Sequence, residues 1–269
     1  MIYDCFSYWD EDLLLDLRLK ILNKFVDYFV IVEGNKTWQN NPKELRFNLN
    51  KFKKFKDKII YVPVTDLPDG DDPYLRENFQ RNSILKGLNN ARPDDIVIIS
   101  DLDEIPNPKK ISSFKSNMKY AVFKQMHFYY KLNLQSRNNP FWYGSRICNY
   151  KNLKSPQWLR NLKFKKRPFW RIDKVRLNNI IEDGGWHFCN LKSPEKLLHK
   201  YKNLCETNDP VNFKEKIDEK HLNLNEIKKK IENQIDIIGR NDSFTKVALN
   251  ENFPEYLLNN KEFYEEWLI

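Results

Sequence analysis

The sequence contains only four cysteines and seven glycines among its 269 residues, and it has no long apolar segment. No two cysteines have the C-x-x-C spacing of zinc or redox motifs, and they lie too far apart for a small disulfide framework. No run approaches the roughly 18 apolar residues that a membrane-spanning helix needs, and no basic segment followed by an apolar one opens the chain. We therefore expect a soluble, cytoplasmic protein with reduced thiols and no transmembrane segment.

Positive charge is in excess, with 46 Lys and Arg against 37 Asp and Glu, a net charge of +9 and a pI near 9.1. Such a balance favours an anionic partner, which can be nucleic acid, anionic lipid or a phosphorylated small molecule. The basic residues are spread through the chain rather than gathered in a tail, so charge alone does not select among these partners. The 41% of hydrophobic residues is ample for a packed core.

Short apolar segments alternate with amphipathic ones over the first hundred residues. The predicted strands are Ile2–Phe6, Tyr28–Val32, Ile59–Val62 and Ile96–Ile99. One helix is predicted at about 11–23, and a second runs from Pro73 to about Asn90 with Asp72 as its N-cap. Repeated strand–helix–strand order with fully apolar strands predicts an α/β fold, in which helices cover a mostly parallel sheet. Ligands of such sheets bind beyond the carboxyl ends of the strands.

Aromatic and basic residues are interleaved from Tyr120 to about His187, a pattern that favours strands, loops and turns over long helices. The aromatic set comprises Phe123, His127, Phe128, Tyr129, Tyr130, Phe141, Trp142, Tyr143, Trp158, Phe164, Phe169 and Trp170. Most of these side chains belong to the core, but rings of this kind also stack on sugars or on single-stranded nucleic acid.

Two further helices are predicted towards the end of the sequence. One begins after Ser193, which caps it. The other begins after Asn223, where Glu226 completes a capping box. Its apolar stripe consists of Leu224, Ile227, Ile231, Ile235 and Ile238. We expect this helix to dock on the main domain.

Three carboxylates crowd the end of the fourth predicted strand, in Asp101-Leu102-Asp103-Glu104. They repel one another and are costly to bury without a positive charge among them. Mg²⁺ or Mn²⁺ is the simplest such charge, because both prefer oxygen ligands and keep part of their shell for substrate phosphates. Alternate residues of an extended segment point to one side, so Asp101 and Asp103 can face one metal. A solvated acidic turn is the alternative interpretation.

Two other segments carry candidate site residues. Arg76, Gln80 and Arg81 lie early on the second predicted helix, where an Arg and amide pair can brace a diphosphate, although a surface ion pair with Glu77 is as good an explanation. Further on, 182–188 reads Glu-Asp-Gly-Gly-Trp-His-Phe, and the two glycines permit backbone conformations that are closed to other residues. Glu33 falls at the same edge of the sheet as the acid cluster.

Taken together in order, these segments resemble glycosyltransferase family 17, the family of the bisecting β-1,4-N-acetylglucosaminyltransferases. The matching segments are 2–6, 11–19, 27–33, 76–82, 94–106 and 184–188. The resemblance covers the chain to about residue 205. It implies a GT-A-like, Rossmann-like domain over 1–205, with a nucleotide-sugar-binding half (1–110) and an acceptor-side half (111–205). We expect 206–269 to form a helical extension packed on this core.

The resemblance also implies an inverting, metal-dependent transfer of a sugar, N-acetylglucosamine from UDP-GlcNAc, to a glycan or other hydroxyl acceptor. The predicted metal ligands for Mn²⁺ or Mg²⁺ are Asp101, Asp103 and His187. The predicted donor-binding residues are Glu33, Arg76, Gln80, Arg81, Asp101 and Trp186. For the general base that activates the acceptor we predict Asp183, with Glu182 as the second choice. The animal enzymes of the family carry a membrane anchor and lumenal disulfides, and this sequence shows neither, so their acceptor is not carried over.

Two other functions use the same features. A metal-dependent phosphohydrolase or nucleotidyltransferase would employ the same acids and release phosphate or pyrophosphate without a sugar acceptor. A non-catalytic protein that binds nucleic acid or glycan would use the basic, aromatic middle region, but it leaves the acid cluster unexplained. We therefore expect a UDP-sugar and an acceptor as partners, and no nucleic acid.

Overall fold

The computed structural model describes residues 1–163, 177–205 and 222–269. Eleven strands of the described residues form one mixed sheet. They are β1 (Ile2–Ser7), β2 (Tyr28–Gly34), β3 (Ile59–Val64), β4 (Ile96–Asp101), β5 (Glu104–Pro106), β6 (Tyr120–Tyr129), β7 (Leu134–Ser136), β8 (Phe141–Trp142), β9 (Arg146–Asn149), β10 (Asn179–Cys189) and β11 (Phe244–Lys246). The α-helices of the same residues are α1 (Asp12–Leu22), α2 (Pro73–Asn82), α3 (Pro156–Arg160), α4 (Pro194–Asn203), α5 (Leu224–Glu232) and α6 (Glu255–Asn259).

The four strands predicted from the first hundred residues lie side by side in the order β3-β2-β1-β4, and all three pairings are parallel. Val30, Ile31, Val97 and Ile98 are completely buried, since helices and loops cover both faces of this part of the sheet. The order is that of one half of a doubly wound, Rossmann-like sheet. The predicted α/β class, a mostly parallel sheet flanked by helices, is therefore confirmed.

The second half of the sheet is mixed. Strand β9 is antiparallel to both β4 and β6, and β6 pairs in parallel with the long strand β10. The pairing of β10 with β6 shifts register between Ile181 and Gly185, and from Gly185 onwards β10 also pairs antiparallel with β5. This second pairing places His187 opposite Glu104, so the end of β10 lies against the acid cluster.

The predicted prevalence of strands and turns in the middle region is confirmed for the residues described. Phe164, Phe169 and Trp170 of the aromatic set lie outside the described residues.

Two predicted helices are shorter in the structure. Helix α2 ends at Asn82 rather than near Asn90, and a 3₁₀ turn follows over Ser83–Gly87. There the chain packs closely on β2, since a Cβ atom at Gly87 would lie 2.4 Å from a methyl carbon of Val30. Helix α5 ends at Glu232, because Gln234 takes a left-handed conformation (φ +56°) that closes the helix.

The stripe residues Ile235 and Ile238 consequently lie beyond α5. Ile235 instead forms an isolated antiparallel bridge with Ser243.

The described part of the C-terminal region packs on the sheet domain. Leu257 and Tyr264 join the core cluster that contains the buried leucines of α1, and Ile227 of α5 joins a cluster with Tyr130 and Tyr201. Residues 206–221, where the predicted extension begins, lie outside the described residues. Among the helices described, none has both the length and the apolar character needed to cross a bilayer.

Candidate active site

A cavity of about 260 Å³ lies at the carboxyl ends of β1 and β4, and we name it the central cavity. The last residues of these two strands, Ser7 and Asp101, are direct neighbours in the parallel register. Side chains that converge on the cavity from other elements include Trp9, Trp38, Gln80, Arg81, Asp103, His127, Tyr129, Trp142, His187, Cys189 and Lys200. Its position is the one where open α/β sheets bind ligands.

One fully buried arginine fixes the backbone of the acid cluster. Arg18 of α1 forms a two-pronged ion pair with the buried carboxylate of Asp4, at 2.6 and 2.7 Å. Its remaining nitrogen donates to the backbone carbonyls of Asp101, Leu102 and Glu104 at 2.8–3.1 Å. The turn that carries the acids is therefore held in place by a side chain of the first helix.

Two further arginines neutralise the acid cluster. Arg81 of α2 donates to one carboxylate oxygen of Asp101 at 3.0 Å, and Arg160 of α3 donates to the other at 2.6 Å. Burial alone would raise the pKa of Asp101, but these guanidinium groups outweigh it and hold the pKa well below its usual value of 3.8. Asp101 is thus ionised at neutral pH, with both oxygens bound by arginine.

Glu104 has almost no exposed surface and accepts four hydrogen bonds from three residues. Arg160 donates to both of its carboxylate oxygens, the indole nitrogen of Trp142 donates at 2.6 Å, and the backbone N–H of Asp101 donates at 3.0 Å. Glu104 therefore holds Arg160 and Trp142 in place, and Trp142 lines the central cavity.

Asp103 and His187 form the second charged pair of the cavity, with 3.5 Å between a carboxylate oxygen and Nε2. Burial would lower the pKa of His187, but the nearby carboxylate of Asp103 outweighs it and raises the pKa to about 10. Conversely, burial would raise the pKa of Asp103, and His187 holds it below the usual value. Both groups carry charge at neutral pH in the protein alone.

An aromatic group covers this charged pair. The rings of His127 and His187 stack with centroids 4.7 Å apart and planes within 3°, and the Trp142 ring lies 5.1 Å from His187. Burial, followed by the charge on His187, lowers the pKa of His127 to about 3, so that its ring is neutral. On the other side of the cavity Trp9 packs against Trp38 with 5.7 Å between centroids.

The structure brings five of the predicted site residues together in the central cavity. They are Gln80, Arg81, Asp101, Asp103 and His187. The side chains of Asp101 and Asp103 are held by different partners, arginines for the first and a histidine for the second. The free carboxylate of Asp101 required for the predicted metal role is therefore not present in this arrangement, whereas Asp103 faces His187.

Two predicted donor-binding residues are buried anchors outside the cavity. Glu33 accepts from Lys43, from the backbone N–H groups of Arg46 and Phe47, and from the Tyr61 hydroxyl, which leaves its carboxylate no free direction. Arg76 donates to the backbone carbonyls of Trp38 and Gly70 at 2.7 and 2.5 Å. Both residues fix loops at the edge of the sheet, and their donor-binding role stays a prediction.

The predicted base residues line a different and larger cavity of about 1070 Å³, which we name the lateral cavity. There Glu182 is paired with Lys124 at 2.9 Å and Asp183 with Lys110 at 3.2 Å, and both carboxylates are well exposed. Trp186 also lines the lateral cavity, and its indole nitrogen donates to the backbone carbonyl of Asn252. The structure does not bring these three residues to the acid cluster.

Several residues that line the central cavity or bind its acids have no role assigned from the sequence. Arg18 and Arg160 bind the acid segment from helices far away in sequence, and no local pattern marks them. His127 and Trp142 were noticed only as members of the aromatic set. Cys189 had a usable signal, because it follows His187 by two residues on a strand and so points to the same side.

The arrangement joins fixed cations, an ionised acid–histidine pair and aromatic faces around one small cavity. Guanidinium groups that are already oriented can stabilise a negatively charged diphosphate without reorganising. The acid and the imidazole are suitable ligands for a divalent cation. Indole and phenol rings offer faces on which a base or sugar can stack.

Comparison with known proteins agrees with this picture. The sequence model of glycosyltransferase family 17 matches residues 1–265. The human enzyme described as beta-1,4-mannosyl-glycoprotein 4-beta-N-acetylglucosaminyltransferase is 36% identical over 104 residues, which are 35% of this chain and 19% of the human protein. The proteins of the same description from Rattus norvegicus and Mus musculus match to the same extent. The match thus spans about a fifth of these curated relatives. With the family model covering nearly the whole sequence, the chain belongs to glycosyltransferase family 17.

Proposed function

We propose that this protein is an inverting, metal-dependent glycosyltransferase that moves N-acetylglucosamine from UDP-GlcNAc to a hydroxyl group of a glycan or other acceptor. The observation that carries the proposal is the central cavity, where Asp103 and His187 lie beside the arginine-bound Asp101 at the carboxyl ends of β1 and β4. Membership of family 17 and the activity described for the mammalian relatives support the choice of sugar.

Arg81 is suited to face the donor diphosphate, because it lines the central cavity. Asp101 binds Arg81 and Arg160 on its two oxygens and so fixes both guanidinium groups. A preorganised cation stabilises charge as it develops on the leaving diphosphate, and its orientation costs little at the moment of reaction. Trp9 and Trp38 offer stacking faces for the uracil or the ribose.

Asp103 and His187 fit a divalent cation. Their facing ligand atoms, a carboxylate oxygen of Asp103 and Nε2 of His187, are 3.5 Å apart. Carboxylate oxygen and imidazole nitrogen are both ligands of Mn²⁺, and carboxylate oxygen suits Mg²⁺. A cation held there supplies Lewis-acid neutralisation of the diphosphate.

The proposed reaction is a single displacement. The acceptor oxygen forms a bond to the anomeric carbon, the bond from that carbon to the diphosphate oxygen breaks, UDP leaves, and the acceptor proton passes to a base. We retain Asp183 as the proposed base and Glu182 as the second choice. Because both residues line the lateral cavity, this role requires the acceptor to approach from that side of β10.

The donor is tested by incubating the protein with a panel of nucleotide sugars and Mn²⁺ while following thermal unfolding and release of the nucleotide. A ligand present at 100 times its Kd stabilises the folded state by about 2.7 kcal/mol, which is a measurable shift. We expect UDP-GlcNAc to give the largest shift and to be hydrolysed slowly to UDP. Release of phosphate or pyrophosphate instead would favour a phosphohydrolase or nucleotidyltransferase, and salt-sensitive RNA binding without UDP binding would favour a nucleic-acid-binding protein.

The residue roles are tested with Asp103→Ala and Asp183→Ala. We expect Asp103→Ala to abolish both transfer and the metal-dependent part of UDP binding, because it removes a metal ligand. Asp183→Ala should leave UDP–Mn²⁺ affinity unchanged in calorimetry and lower only the rate of transfer. Undiminished UDP–Mn²⁺ affinity of Asp103→Ala would remove the metal role, and an unchanged transfer rate of Asp183→Ala would remove the base role.

A further inference from the structure

A cysteine stands beside the acid–histidine pair. Cys189 ends β10 two residues after His187, so both side chains point to the same face of the strand and both line the central cavity. The carboxylate of Asp103, the imidazole of His187 and the sulfur of Cys189 each offer a ligand atom, and these atoms all lie within 4.8 Å of one another. The three residues therefore form a compact set with one oxygen, one nitrogen and one sulfur donor.

Backbone pairing fixes this set. The antiparallel register of β5 and β10 places Glu104 opposite His187, and the backbone N–H of Phe188 donates to the carbonyl of Asp103 at 2.9 Å. Asp103 is therefore tied to the strand that carries the other two side chains. A site held by strand pairing requires little rearrangement when a ligand binds.

The surroundings favour this set over the set of Asp101, Asp103 and His187 predicted from the sequence. Both oxygens of Asp101 are bound by Arg81 and Arg160, so its carboxylate is already neutralised by other cations. His187 is more than nine-tenths buried, and its Nε2 faces the carboxylate of Asp103 at 3.5 Å. Cys189 is partly exposed to the cavity and takes part in no disulfide.

We propose that Cys189 is a metal ligand and that Asp103, His187 and Cys189 together hold the divalent cation of this enzyme. The inference rests on the proposed function, since it concerns the same metal site. Three protein ligands leave a coordination position open for an oxygen of the donor diphosphate. On coordination the thiol proton and one imidazolium proton of His187 are released to solvent, because the thiolate and the neutral imidazole are the binding forms.

A sulfur ligand changes which metals the site prefers. Thiolate ligands select soft or borderline cations such as Zn²⁺ and Co²⁺, whereas carboxylate and water ligands suit Mn²⁺ and Mg²⁺. We therefore expect the protein to bind Co²⁺ and Cd²⁺ more tightly than Mn²⁺. Cys189→Ser replaces the sulfur by oxygen and should reduce or reverse this difference between the affinities for Co²⁺ or Cd²⁺ and the affinity for Mn²⁺.

The experiment is a titration of the intact chain with Co²⁺, with and without UDP, followed by absorbance spectroscopy. Coordination by Cys189 produces a sulfur-to-cobalt charge-transfer band in the near ultraviolet, which oxygen and nitrogen ligands do not give. We expect the band in the wild-type protein and its loss in Cys189→Ser. The Cd²⁺ affinity of Cys189→Ser should fall by at least the roughly 10- to 100-fold that loss of an outer-shell partner costs, with little change in the affinity for Mn²⁺.

Cys205→Ser is the matched control, because Cys205 also lines the central cavity but does not belong to the three-residue set. It should keep both the band and the Cd²⁺ affinity. If Co²⁺ binds without the band, and binding still depends on Asp103, the role of Cys189 is overturned while the metal site of the proposed function stands. If Co²⁺ does not bind with or without UDP, the metal site itself is overturned. An equal fall in Cd²⁺ and Mn²⁺ affinity in Cys189→Ser also contradicts the proposal, since it indicates a distorted site rather than a lost sulfur.

Discussion

At the scale of single residues, the two adjacent glycines have a steric explanation. Gly185 has φ +129°, and a Cβ atom there would lie 2.2 Å from the backbone oxygen of Ile105. A Cβ atom at Gly184 would lie 2.7 Å from the backbone nitrogen of Lys124. The pair allows β10 to pass between β6 and β5 at the register shift. Because the two glycines let the backbone of β10 approach β5 closely, they bring His187 opposite Glu104. This close packing explains why two glycines stand next to each other in the sequence.

We expect Gly185→Ala to destabilise the protein more than Gly70→Ala. Gly70 has nearly the same conformation (φ +123°) but nothing within 4 Å of an added Cβ atom, so its substitution costs only backbone strain, about 1–3 kcal/mol. Gly185→Ala adds the clash with the chain of β5, for about 1–3 kcal/mol more. Urea denaturation of both variants measures the difference. Equal losses of unfolding free energy in the two variants would show that the structure around Gly185 adjusts to the added Cβ atom without cost.

At the scale of elements, helix α1 determines where the acid cluster lies. Its Arg18 reaches through the core from the helix to the turn after β4, and Asp4 of β1 holds the guanidinium group in place. The leucine spacing predicts helix α1 itself. The role of Arg18 could not be predicted, because the backbone carbonyls that it binds lie more than 80 residues away in sequence. Strand pairing of β10 with β5 completes the positioning from the other side.

We expect Arg18→Met to cost about 3–5 kcal/mol of unfolding free energy, because it leaves the carboxylate of Asp4 buried without a partner. The double variant Asp4→Leu/Arg18→Met removes the unpaired charge and should recover most of that stability. Its UDP affinity should stay low, because the backbone carbonyls of Asp101, Leu102 and Glu104 still lack the guanidinium donor. Denaturation measures the unfolding free energy of the two variants, and calorimetry measures their UDP affinity, so the effect on stability is separated from the effect on the site. Wild-type UDP affinity of the double variant would contradict the positioning role of Arg18.

At the scale of the whole molecule, partly buried carboxylates are held ionised by cations from distant elements. Burial alone would raise the pKa values of Asp101 and Glu11, but arginines outweigh it for Asp101, and Lys192 outweighs it for Glu11. Both pKa values lie below those of the same residues in an unfolded chain. The stability that these pairs contribute is therefore fully present above the ordinary values of 3.8 and 4.5 and is lost as the pH falls through the lower folded values.

We accordingly expect the urea midpoint to stay high near neutral pH and to fall as the pH drops below about 4.5. The variant Arg160→Gln removes the largest cationic influence on Asp101, so the pKa of Asp101 moves back towards its ordinary value. This variant should be less stable than wild type at pH 7, yet lose less of its remaining stability on acidification. Parallel stability–pH curves for the two proteins would show that the Asp101 pair does not contribute.

The sequence by itself determined the sheet and the edge at which the site lies. Apolar strands, their alternation with helices and the acids after the fourth strand depend on local pattern, and the first four strands lie as that pattern predicts. The resemblance to the family predicted Arg81, Asp101, Asp103 and His187 as members of one site, and the four side chains line the central cavity. Residue types alone did not separate side chains that face the cavity from buried anchors. Glu33 carries the same carboxylate group as Asp103, but it is satisfied by the chain around it.

Only the tertiary structure decided which polar groups face the cavity. Arg18 and Arg160 reach the acids from helices remote in sequence, and the register of β10 sets His187 and Cys189 beside Asp103 while Asp183 turns to the lateral cavity. The physical reason is that buried charges require partners at hydrogen-bonding distance, and those partners come from whichever elements pack nearby rather than from neighbours in sequence.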